Sequence, residues 1–148
     1  MKLERILAVT TTNLRRNVLC CNLLFALAAQ AQLAVTVSPV KTTGSKAVVP
    51  LAIKNGFAEQ IESARAVCFL LDDQGKVVGH STQWVIGAGR EKSPLAPGAT
   101  NAFNFVVAAD KPLTTTNLTA KVSFSRVVLE GGRLADARRD VQIKRTEK

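Results

Sequence analysis

The chain has 148 residues, 20 Lys and Arg against 11 Asp and Glu, a formal charge of +9 and a single histidine. That length is one domain's worth of chain. The charge biases the protein toward anionic surfaces, but the basic residues are scattered and aromatics are few, which excludes the interleaved basic and aromatic stripe of a nucleic-acid binder.

Residues 1–31 read as an export leader. Lys2, Arg5, Arg15 and Arg16 give a positive start, residues 18–29 (VLCCNLLFALAA) a short apolar run, and Ala29-Gln30-Ala31 an A-x-A cleavage site ahead of Gln32. The run falls short of the ~20 apolar residues of a membrane-spanning helix and contains Asn22, so no transmembrane segment is expected once the leader is gone. Removing it takes four basic residues and one acid, leaving 16 against 10 and a net charge of +6. It also removes Cys20 and Cys21, so the mature chain has one cysteine, Cys68, and no internal disulfide to staple it. Cys68 lies inside the apolar run AVCFLL and is expected in the core.

From Gln32 onward short β-rich runs alternate with turn signals. LAVTVSP (33–39) alternates and stops at Pro39, as a first edge strand would; KTTGSK is a polar loop. AVVPLAIKN (47–55) is a second run in which Pro50 argues for an edge or a bulge, and Asn55-Gly56 ends it. AEQIESA has room for a helical turn only. Strands follow over 64–71 and 76–86, a 14-residue loop crosses to 101–109, and 118–130 with 133–145 form a closing hairpin about Gly131-Gly132. Seven strands with no long helical period predict an all-β, antiparallel immunoglobulin-like sandwich over residues 32–148.

Cys68-Phe69-Leu70-Leu71-Asp72, then Gly75-Lys76-Val77-Val78, then Leu95-Ala96-Pro97-Gly98 and Phe103, resemble the bacterial FxLYD-type domains over roughly residues 47–109. Leu70, Asp72 and Gly75 fit that pattern, while Cys68 stands where it has Phe and Leu71 where it has Tyr. The resemblance implies an exported immunoglobulin-like sandwich without catalysis.

The residues with chemical potential each have a structural reading. Asp72-Asp73-Gln74-Gly75 lies between two β-rich runs and suits a hairpin loop, Asp72 accepting backbone hydrogen bonds and Gly75 supplying positive φ. Two carboxylates and His80 are too few for calcium or zinc, and neither a G-x-S-x-G elbow nor a cysteine–histidine set is present. No metal, cofactor or catalytic residue is therefore expected. His80 and Trp84 share one face of their strand, with Trp84 expected in or at the border of the core. In the closing hairpin a two-residue turn pairs Val122 with Val141 and Ala120 with Ile143. The apolar face switches sides near Ser125-Arg126, which predicts a β-bulge there that returns Arg126 to solvent; the alternative gathers Arg126, Arg138 and Arg139 into an anion-binding patch.

The sequence thus predicts an extracytoplasmic, periplasmic or secreted, non-catalytic module that binds another envelope or secreted protein through a sheet edge or face, the edges being 33–38 or 47–53. The alternative is a carbohydrate- or polyanion-binding module that uses the loop 87–100 with Arg90 and Lys92.

Overall fold

The computed structural model describes residues 32–89, 93–114 and 117–146; residues 1–31, expected as a leader, and Arg90 and Lys92 lie outside them. The chain is a β-sandwich of eight strands: β1 Leu33–Val37, β2 Lys41–Thr43, β3 Lys46–Asn55, β4 Ile61–Leu71, β5 Val77–Ile86, β6 Thr100–Ala108, β7 Thr119–Leu129 and β8 Val141–Arg145. The polar stretch expected as a loop forms β2, which turns through Gly44 (φ 61°) into β3. AEQIESA holds no helical turn, because Ile61 already opens β4.

Strand β3 is the spine of one sheet. Strand β6 pairs along one of its edges from Lys46 to Lys54, and β2 and β1 share the other in succession. The gap between β2 and β1 falls at residues 38–40, opposite Pro50, whose carbonyl accepts the Ser38 amide at 2.9 Å. An amide on residue 50 would point at this same break, so a proline costs β3 no ladder bond here. Pro50 therefore sits in an interior strand, beside a broken neighbour, rather than at an edge or bulge.

The last strand also departs from expectation. Strand β8 leaves β7 and pairs parallel with β1, Leu33 to Val141 through Val37 to Arg145. Strand β1 is consequently interior, flanked by β3 and β8. Of the expected hairpin only a Val128–Leu134 bridge forms, and Val122 and Ala120 pair with β4 instead of with Val141 and Ile143. The cause is local. Asp136 Oδ1 accepts the amides of Arg138 and Arg139 at 2.9 and 3.4 Å, and Asp140 returns a carboxylate to the Asp136 amide at 3.0 Å. This turn ends the strand before Val141.

The second sheet has β4 at its centre, β5 on one side and β7 on the other. Its middle strand is lined inward by small residues: Ala64, Ala66 and Cys68 are buried where β1, β3 and β6 supply Val35, Val49, Leu51, Ile53, Phe105 and Val107, while Leu70, Val122, Phe124, Val127 and Leu129 fill the space beside them. Small residues against large ones let the two layers interdigitate at native density. One buried polar side chain joins the loops at this end. Asn55 Nδ2 donates to the Glu59 and Leu95 carbonyls, both at 2.9 Å, and Oδ1 accepts the Phe57 amide at 2.9 Å.

The two long sides of the sandwich differ. On one side β5 abuts β6: Gly79 bridges to Ala109, and Gln83 Nε2 donates to the Val106 carbonyl at 3.0 Å. A Cβ on Gly79 would lie 3.0 Å from the Ala108 carbonyl oxygen, so only glycine allows this approach without displacement. On the other side β7 and β8 belong to different sheets, and a cleft of about 470 Å³ opens between residues 37–40, 117–120 and Arg145.

Candidate functional site

The outer face of the β5-β4-β7 sheet brings together three of the residues singled out in sequence, Trp84, His80 and Arg126. Register shifts interrupt both pairings of β4, two against β5 and two against β7, and two of them place the residues that matter here. Between β4 and β7, Arg65 pairs with Arg126 and the next residue, Ala66, with Phe124, so Ser125 is the extra residue; its hydroxyl donates to the Arg65 carbonyl at 3.3 Å. The predicted bulge at Ser125-Arg126 is therefore present, against β4 rather than against the chain's last strand, and Arg126 is exposed. Between β4 and β5, Ala64 pairs with Ile86 and Arg65 with Trp84, leaving Val85 as the extra residue.

With that register the outward side chains form four rows across β5, β4 and β7: Trp84, Arg65, Arg126; Thr82, Val67, Ser123; His80, Phe69, Lys121; Val77, Leu71, Thr119. These twelve positions hold three cations and no carboxylate. Trp84 is not in the core but half-buried on this outer face, with the Arg65 guanidinium carbon 5.9 Å from its ring centroid. That distance is a cation–π contact. His80 stacks on Phe69, ring centroids 6.1 Å apart and planes 27° from parallel. Each of the two rings thus has a neighbour from the adjacent strand against it, and Phe69 remains 36% exposed.

Arg65 and Arg126 oppose each other across β4 and β7, and like charges in directly opposed positions repel. Arg65 relieves the repulsion by lying back over Trp84. Among the described residues neither Arg126 nor Lys121 forms an ion pair with a carboxylate.

Arg138 and Arg139 do not share this face. They lie in the turn that leads to β8, where Arg139 Nε contacts Asp140 Oδ1 at 3.3 Å. The three-arginine patch is thus divided between a strand face and a remote turn.

The acidic pair does what a turn requires. Asp72 Oδ1 accepts the amides of Gln74 at 3.0 Å and Lys76 at 2.8 Å, its carbonyl accepts the Gly75 amide at 3.1 Å, and Gly75 has φ 77°. Cys68 is wholly buried, and burial pushes its thiol up to about 11 from an ordinary 9.0. At that value the thiol is neutral at physiological pH and is a poor nucleophile. Gly131 and Gly132 both have positive φ, but in a 3-10 turn rather than a two-residue hairpin turn. Sequence reasoning missed Asn55, whose Asn-Gly setting reads as a simple strand end, and Arg65, whose place beside Trp84 depends on the bulge at Val85.

The strand order places the protein in the class of immunoglobulin-like β-sandwiches: β3 carries β1 and β6, and β4 pairs with β7. No protein-family model and no curated protein matches the chain. Among solved structures it is similar to the ApaA protein of Bordetella pertussis, at 19% identity and a TM-score of 0.51, over 70% of this chain and 84% of that one. It is also similar to a β-glucuronidase of glycoside hydrolase family 2, at 19% identity and a TM-score of 0.38, over 68% of this chain and 10% of the enzyme. The first likeness shows a common fold, and the second carries no argument about activity.

Proposed function

We propose that the protein is an exported, non-catalytic module that binds another envelope or secreted protein through the outer face of its β5-β4-β7 sheet. The observation that carries this reading is the composition of that face: Trp84, Phe69, His80, Arg65, Arg126 and Lys121 on one rigid surface with no carboxylate among its twelve positions. Arginine and aromatic residues are the side chains that interface centres favour, because they bury much area with little loss of freedom. The leader-like residues 1–31 and the FxLYD-type resemblance around Asp72 support the extracytoplasmic setting.

The positive charge of the face also supports the polyanion reading. A sugar-stacking site, however, favours a large bare ring, and Arg65 lies over Trp84, the largest ring of the face. A protein partner fits this mixture of exposed Phe69, cations and a tryptophan already under a guanidinium better.

The test places a photo-crosslinking residue at Thr82, and separately at exposed Ala52 of β3 as a control, in cells that make the full chain. Capture at Thr82 alone, lost on Arg126→Glu while the melting curve is unchanged, and a mature chain that starts at Gln32, are the expected results. Equal capture at both positions, or capture indifferent to the charge of residue 126, refutes the face.

A further inference from the structure

The two sides of the sandwich are not equally finished. Strand β5 closes onto β6, but among the described residues β7 has a strand partner along one edge, β4, and on the other only the Val128–Leu134 bridge. Its C-terminal part is covered, since the Leu129 and Ala135 amides bond to the Arg133 and Val127 carbonyls. From Thr119 to Phe124, β4 is the only strand among the described residues that pairs with it. The bulge at Ser125 ends this free edge, and the cleft beside Arg145 opens at its other end.

Backbone groups on such an edge are a template for one more strand. The strand would lie alongside β7, so its alternate side chains would continue the rows that now end at Lys121, Ser123 and Arg126. Those rows supply two cations without a carboxylate partner among the described residues. A strand with acidic residues at every second position would hydrogen-bond the edge and place its carboxylates beside Lys121 and Arg126.

We propose that the free edge of β7 over residues 119–124 accepts an extended segment of a partner protein, with acidic residues on the side that continues the outer face. The proposal rests on the face reading above and names the partner's chemistry and mode of attachment. Residues 119–124 limit the acceptor to about six residues, and the polar face of the added strand remains in solvent. No change in the sandwich itself is required.

The test uses the full chain and a fluorescent octapeptide in which glutamate alternates with valine. Three comparison peptides accompany it: one with lysine for glutamate, one with the glutamates retained but in scrambled order, and one with the original order and alternate amides N-methylated. Only the alternating acidic peptide should bind, and hydrogen exchange should slow for amides within 119–124 alone. The Lys121→Glu, Arg126→Glu double variant, with an unchanged melt, should bind roughly tenfold more weakly, as expected for two exposed charge contacts reversed in sign. Binding by the N-methylated or scrambled peptide as tight as that of the original would overturn strand addition. No binding at millimolar peptide overturns it also. If the peptide fails while crosslinking at Thr82 still succeeds, strand addition is wrong and the face reading stands; if both fail, both are wrong.

Discussion

Asn55→Ala should be among the most damaging single substitutions in the chain. The side chain makes three hydrogen bonds, all at 2.9 Å, from a wholly buried position. After truncation the Leu95 carbonyl still has the Ile61 amide, and the Glu59 carbonyl lies near the surface. The Phe57 amide has no such substitute, because Phe57 is itself buried. Three net hydrogen bonds at about 1 kcal/mol each, with part of the desolvation cost of one orphaned amide, give a loss of about 3–5 kcal/mol. Against the roughly 5–15 kcal/mol of a typical domain this is a large share. The assay is urea unfolding followed by fluorescence of Trp84, the sole tryptophan, with an unchanged slope and a midpoint shifted by that amount. In a thermal melt the same loss lowers Tm by about 10–20 °C. Asn55→Asp provides a sharper control. It keeps the acceptor for Phe57 but turns a carboxylate oxygen toward two carbonyls, so its carboxyl should hold its proton to higher pH in the folded state than in the unfolded one. The folded variant then binds more protons, and its deficit should shrink as pH falls. A loss below about 1 kcal/mol for Asn55→Ala, or an Asn55→Asp deficit independent of pH, would refute the clamp.

Two other predictions follow from buried positions. Cys68 titrates at about 11 when folded against 9.0 in the ordinary thiol, so the unfolded chain gives up its proton first; the wild type should lose roughly 2–3 kcal/mol between those pH values relative to Cys68→Val, which lacks the thiol. Parallel pH profiles for the two proteins would contradict that. Gly87 has φ 59°, and a Cβ there would lie 2.0 Å from the Glu62 carbonyl oxygen; Gly87→Ala should cost at least about 3 kcal/mol through strain and displacement of β4, and an unaltered melt would show that this approach does not exist in solution.

What could be read from the sequence was whatever depends on neighbours along the chain. The phase change in VSFSRVVL located the bulge at Ser125, because burial alternates on both sides of it. Asp72 and Gly75 declared their turn for the same reason. The edge assignments failed because an edge is a property of pairing between distant strands: LAVTVSP reads alike whether or not residues 141–145 return to it. The closing hairpin failed through a competition between two signals. Gly131-Gly132 suggested a tight reversal, whereas Asp136 and Asp140, four residues apart, bracket the turn that won. For the candidate face, His80 and Trp84 were legible as one side of a strand, but their neighbours, Phe69 and Arg65, come from β4 in a register that bulges such as the one at Val85 determine. Arg138 and Arg139 were grouped with Arg126 by the hairpin register, and they separated when that hairpin did not form.

The parallel pairing of β1 with β8 has a kinetic consequence. Leu33 and Val141 stand 108 positions apart (141 minus 33), so this contact closes nearly the largest loop the described chain permits. Loop closure of that span is slow to be rewarded, and folds dominated by such contacts fold late and slowly. Until residues 141–145 emerge from the ribosome, β1 has β3 on one flank and nothing on the other. The sandwich is therefore completed only after residues 141–145 have been synthesised.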